Sequence, residues 1–234
     1  MTNKKRTLFI IVLLAAVIAS TFWPDASPAD ESPERTLNDG AASAENFAKA
    51  VPGREFVFPA DFGPHPEYLT EWWYYTGNLD SADGQHFGYQ LTFFRRALVP
   101  ADQHVPRDSD WAAEQIYFAH FALTDVAAEN FYAYERFSRG AVGLAGAQAA
   151  PYEVWLEDWQ VIETGQDEYR LHSSQGEIEI NLDMTNTQGQ LLQGEGGFSP
   201  KGPEPGNASY YYSQTRLASS GTITVADTTH EVTG

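Results

Sequence analysis

The chain has 234 residues, 42% of them apolar and 14% aromatic, which is enough for a packed core and too apolar for a disordered chain. A net charge of −18 repels phosphate backbones, so nucleic acid is excluded as a partner, and docking on anionic lipid is disfavoured. With no cysteine, disulfides, thiolate metal sites and cysteine catalysis are excluded together.

The N-terminus places Lys4, Lys5 and Arg6 before an apolar run from Thr7 to Trp23. Residues 1–25 therefore read as a signal peptide or an N-terminal membrane anchor, the run being slightly short of the roughly 20 residues a spanning helix needs. The expected location is periplasmic, either free or anchored and facing the periplasm. Residues 26–50, rich in Pro, Ala, Ser and acids, read as a flexible linker.

From Val51 the pattern is β. "TEWWYYTGNL" and "HFGYQLTFFRRAL" flank a turn on Asp83-Gly84 and predict a hairpin. "EQIYFAHFALTD" is a third strand, with "NFYAYERFSR" pairing back to it. In "EIEINLDM" the alternation turns Ile178, Ile180, Leu182 and Met184 inward. Helices are expected to be short, near residues 44–50 or 101–114. An all-β, lipocalin-like antiparallel barrel or sandwich is the expected class, and a barrel of about eight strands can enclose one small ligand. Residues 51–195 make the first β domain. The Gly/Pro-rich segment 193–207 reads as an interdomain turn, and 196–234 as linker plus the first strands of a second β domain. Such a domain cannot close in the roughly 30 residues left. The sequence therefore reads as truncated, or its end augments the first domain.

Within the first strand Glu71 stands beside Trp72, Trp73, Tyr74 and Tyr75. Strand geometry puts Glu71, Trp73 and Tyr75 on one face and Trp72 and Tyr74 on the other. Two readings are open. The aromatics line a pocket for a long apolar ligand with Glu71 as its reactive group, or they are core, with Glu71 paired to Arg95 or Arg96 across the hairpin. Trp72, Trp73, Tyr74, Tyr89, Phe93, Arg95 and Trp155 are the candidate ligand-binding residues. Alternation places Trp155, Glu157 and Trp159 on one face, a second acid-plus-aromatic cluster or a solvated acidic face. His65 and His120 are candidate bases or hydrogen-bonded structural histidines. His65, Glu67 and Glu71 could meet only through a loop and no HExxH spacing exists, so no metal is expected. No GK[ST] motif follows the glycines and no GxSxG elbow occurs, which leaves neither a phosphate loop nor a serine-hydrolase nucleophile.

The blocks "GPHPEYLTEWWYYTGNL", "FGYQLTFFRRAL", "FAHFALTD", "ERFSRGAVGLAGA" with "VWLEDW", and "SPKGPEPGNASYYYSQTRL" resemble, in order, the lipocalin-like family of AttH proteins and carotenoid 1,2-hydratases, over about residues 52 to 234. The resemblance implies two lipocalin-like domains with a ligand cavity, and an exported protein often near an ABC transporter system. It also implies members that continue into a further block rich in Trp, Asp and Glu. Its hydratase branch adds water to an isoprenoid C=C bond without a cofactor. Under that implication Glu71 is the candidate acid, the aromatics are the cation platform, and His65 or His120 orients water. The alternative is a non-catalytic lipid carrier or chaperone working with an ABC transporter.

Overall fold

A computed structural model describes residues 44–105 and 107–234. The expected signal peptide or anchor, residues 1–25, and most of the expected linker lie outside the described residues. The linker's last part is ordered differently from expectation: a short 3₁₀ turn spans Ala44–Asn46, Phe47 and Ala50 are buried, and Ala48 bridges to Tyr68. The folded unit thus takes in residues before Val51. Burial of Phe47 supplies the reason, since an apolar ring placed beside a cavity is held there by its removal from water.

Fifteen strands are described. Their ranges are β1 Thr70–Ser81, β2 His86–Ala97, β3 Gln115–Asp125, β4 Asn130–Arg139, β5 Ala145–Ala149, β6 Tyr152–Leu156, β7 Trp159–Gly165, β8 Glu168–Gln175 and β9 Ile178–Asn186. After a flap of short strands, β10 Leu191–Leu192, β11 Phe198–Pro200, β12 Ala208–Tyr210 and β13 Tyr212–Ser213, come β14 Leu217–Val225 and β15 Thr228–Thr233. Eleven of them form one barrel-like antiparallel sheet in the order β4-β3-β2-β1-β15-β14-β9-β8-β7-β6-β5.

The local reasons are ordinary strand chemistry. Aromatic and β-branched residues fill β1 and β2, and Gly84 supplies the positive φ (+87°) that the turn between them demands. On β9, Ile178, Ile180, Leu182 and Met184 are all buried. They join Leu91, Phe93, Phe121, Val161, Leu171 and Trp159 in one core.

Two organisational expectations change. Segment 193–207 is a β flap, not an interdomain turn, with Phe198 opposite Tyr210 and Leu191 opposite Ser213. Strands β14 and β15, read either as the first of a second domain or as an end that augments the first, sit inside the one sheet, with β14 pairing β9 along its whole length. Buried Ile223 and Val232 complete the existing core, which gives these strands their place.

Strand β15 pairs with β1 only at Asp80 and Ser81. The rest of β1 therefore has a strand partner on the β2 side alone, and a gap opens between it and β14.

Candidate functional site

A cavity of about 770 Å³ occupies that gap. A strand paired on both edges shows a cavity only one face, whereas an edge strand shows it both. Accordingly Glu71, Trp73 and Tyr75 line the cavity together with Trp72 and Tyr74. The loop 54–69 and the flap cover it, while Tyr152 of β6 and Tyr169 of β8 form its far wall. Trp73 fixes the loop by donating its indole N–H to the carbonyl of Phe62 at 2.9 Å.

One wall is a row of charged groups. The Nδ1 of His65 lies 2.5 Å from Glu71 Oε1, and its Nε2 lies 3.0 Å from Asp61 Oδ1. Ionised carboxylates only accept, so this arrangement fits an imidazolium donating from both nitrogens. The Glu71 hydrogen bond, with Coulombic help and a bond from Asp61, raises the His65 pKa above 6.5 against the opposing effect of burial. Glu71 Oε2 also accepts the His65 backbone N–H (2.9 Å) and the Arg95 Nε–H (3.1 Å). Arg95 is fully buried and donates its Nη2 to the carbonyls of His65 (2.7 Å) and Tyr68 (2.9 Å). Asp61 further accepts from Arg54 and from the Val57 backbone N–H.

Glu71 is therefore not a solitary acid in an apolar pocket. Of the two readings open in the sequence, its pairing with Arg95 is the one present, and the glutamate holds the loop through His65. Arg95 stands behind Glu71 and does not line the cavity. Arg96, pointing the other way, is half-buried.

Other candidates lie elsewhere. His120 is on the outer face of β3, paired with Glu135 at 3.0 Å and set against Phe94 and Phe118, far from the cavity lining. Tyr89 and Phe93 are core residues, because inward alternation on β2 carries them into the packed interior rather than the gap. Trp155 covers Gly146 on the outside and donates to the Gly143 carbonyl at 3.0 Å. The expected shared face of Trp155 and Trp159 fails because β6 ends at Leu156. Glu157 (φ +58°) and Asp158 then make a turn that resets the alternation, leaving Trp159 fully buried.

The structure adds residues the sequence did not single out. Asp61 belongs to a loop with no periodicity to announce it. Tyr152, Tyr169 and Tyr212 come from three distant strands, and only the run "YYYS" hinted at the last. Tyr75 and Tyr152 bond hydroxyl to hydroxyl, and Tyr74 meets Tyr211 at 2.7 Å. Burial pushes the pKa of Tyr75, Tyr152, Tyr169 and Tyr212 upward, and that of Tyr68 to about 12, so all remain neutral phenols. Among the described residues no group of three or more His, Asp or Glu is arranged to hold a metal ion.

A barrel-like antiparallel sheet around a cavity defines a lipocalin-like protein. Residues 49–234 match the AttH-like family, and the chain belongs to that family. It is 37% identical to an AttH candidate from Nitrosomonas europaea, with a TM-score of 0.70, over 80% of this chain and 55% of that one. Kievitone hydratase from Nectria haematococca shares the fold at 10% identity, with a TM-score of 0.51, over 80% of this chain and 51% of that one. The chain thus spans about half the length of both solved relatives. No curated protein matches it.

Proposed function

We propose that the chain is an exported lipocalin-like protein that binds an isoprenoid or lipid in the cavity beside β1. The observation that carries the reading is the cavity itself, about 770 Å³ and walled by aromatic rings on both sides of an edge strand. Its volume lies in the range that encloses small organic ligands. In its carrier form the protein works with a transporter, an ABC system by family resemblance.

A second reading adds catalysis, the hydration of an isoprenoid C=C bond. The His65 proton held at the cavity wall favours it. The reaction adds a proton to one alkene carbon and a water oxygen to the other, and the water's second proton returns to the base. Both His65 nitrogens are taken by carboxylates and the neighbouring phenols are weak acids, so binding is the function the geometry supports best.

The test is titration with an acyclic isoprenoid, followed by tryptophan fluorescence, for the parent and for Ala208→Trp, which fills the cavity from β12. The variant is expected to bind at least about tenfold more weakly with unchanged circular dichroism. Equal binding by both proteins places the ligand elsewhere and ends the proposal. The same mixtures in deuterated water report catalysis: deuterated tertiary alcohol from the parent but not from His65→Gln supports hydration, and its absence leaves the carrier.

A further inference from the structure

The inner end of the cavity gathers four phenols, from Tyr75, Tyr152, Tyr169 and Tyr212. They are close enough that Tyr152 feels the charge each of the other three would carry, and Tyr212 that of Tyr75 and Tyr169. Counting their hydrogen bonds exposes an imbalance. In the Tyr75–Tyr152 pair one hydroxyl donates and the other accepts, so the acceptor's own hydrogen is unused. The Tyr169 hydroxyl accepts from Gln214 Nε2 at 3.1 Å, which leaves its hydrogen unused as well. The Tyr212 hydroxyl has no hydrogen-bond partner among the described residues, while its ring packs against Phe58 at 5.0 Å and Phe62 at 5.9 Å. Three O–H donors therefore stand at one end of the cavity, away from its charged wall, with no protein acceptor among the described residues.

Donors that face a cavity without a protein partner are complementary to an incoming acceptor, because a hydrogen bond sheltered from water is worth making. The acceptor it fits is uncharged. None of the four phenols carries a positive charge; of the cations lining the cavity, Arg54 and His65 are already engaged by carboxylates, and Lys49 is an exposed residue set against Gly206 of the flap. A carboxylate placed among neutral groups would lose its hydration without a counter-ion.

We infer that Tyr212, with Tyr169 and the Tyr75–Tyr152 pair, anchors a neutral oxygen, a carbonyl or ether-like acceptor, at one end of an otherwise apolar ligand. The inference rests on the binding reading above. It narrows the ligand from any isoprenoid or lipid to an oxygen-bearing one, with Phe62 bordering its head.

The probes are geranylacetone, the same chain with CH₂ in place of C=O, and the carboxylate of equal length, each titrated by tryptophan fluorescence. The parent protein is expected to bind the ketone about tenfold tighter than the hydrocarbon, the worth of a buried hydrogen bond. Tyr212→Phe should shrink that preference at least threefold, by order of magnitude, with hydrocarbon affinity unchanged, and Tyr169→Phe should act in the same direction. Equal binding of ketone and hydrocarbon by the parent overturns the anchor and leaves the cavity reading intact. Tighter binding of the carboxylate overturns the neutral acceptor. Failure of all three probes removes the cavity reading and this inference with it.

Discussion

His65 sits between two carboxylates because the loop and β1 bring Asp61 and Glu71 to its opposite ring nitrogens. Its pKa in the folded chain lies above the 6.5 of the free side chain, mainly through the Glu71 hydrogen bond. A raised folded pKa adds stability that is complete below the unfolded value and is lost as pH rises through the folded one. Chemical denaturation of the parent and His65→Gln at a series of pH values is expected to show the parent's advantage largest below pH 6.5 and shrinking above it. A constant difference across the series would mean that the imidazolium contributes nothing. At this scale the sequence was legible where neighbours on one hairpin decide the outcome. The Glu71↔Arg95 register follows from a two-strand pairing across a recognisable turn. Asp61 was not legible, because its meeting with His65 depends on a loop path that no strand or helix period encodes.

Among the elements, the flap carries a tight local demand. Gly197 has φ +92°, and a Cβ there would come within 2.2 Å of the Phe56 ring. Only glycine adopts that backbone freely, and the ring beneath it leaves no room for a methyl. Gly197→Ala is expected to destabilise the protein by about 1–3 kcal/mol, measured by urea midpoint, and to loosen the flap from Phe56. A midpoint within experimental error of the parent's would show that the flap is not packed on Phe56. Strand identities were readable from alternation, as on β9, where each inward residue is buried. What alternation could not supply was the phase across a turn. Two residues, Glu157 and Asp158, send Trp155 outward and Trp159 inward. Nor could it choose the partners of β14 and β15, since partner choice is set by which core face is left to cover.

At the scale of the whole unit the sheet is two half-sheets, β4 to β1 and β15 to β5, joined along two seams. Among the described residues, the seam between β4 and the far strands has no backbone pairing. Arg136 spans it, donating to the Ser174 carbonyl at 3.0 Å and to Gln175 Oε1 at 2.8 and 3.0 Å. Its guanidinium also stacks 4.4 Å from the Trp159 ring centre and pairs with Asp158. Arg136→Leu keeps the apolar stem but removes every one of these bonds, and is expected to cost about 2–4 kcal/mol in denaturant unfolding. A loss below about 0.5 kcal/mol would assign the seam to its apolar contacts instead.

The other seam is the one beside the cavity, and there β1 and β15 share only the pairs at Asp80 and Ser81. Along the rest of β1 no backbone ladder among the described residues closes this side of the sheet, so side chains hold the mouth of the cavity, the Tyr74–Tyr211 hydroxyl pair among them. Parting that pair would widen the mouth without breaking a strand pairing. A molecule longer than the resting cavity could thus thread in along β1, with its tail still in the open seam while its head reaches the far wall.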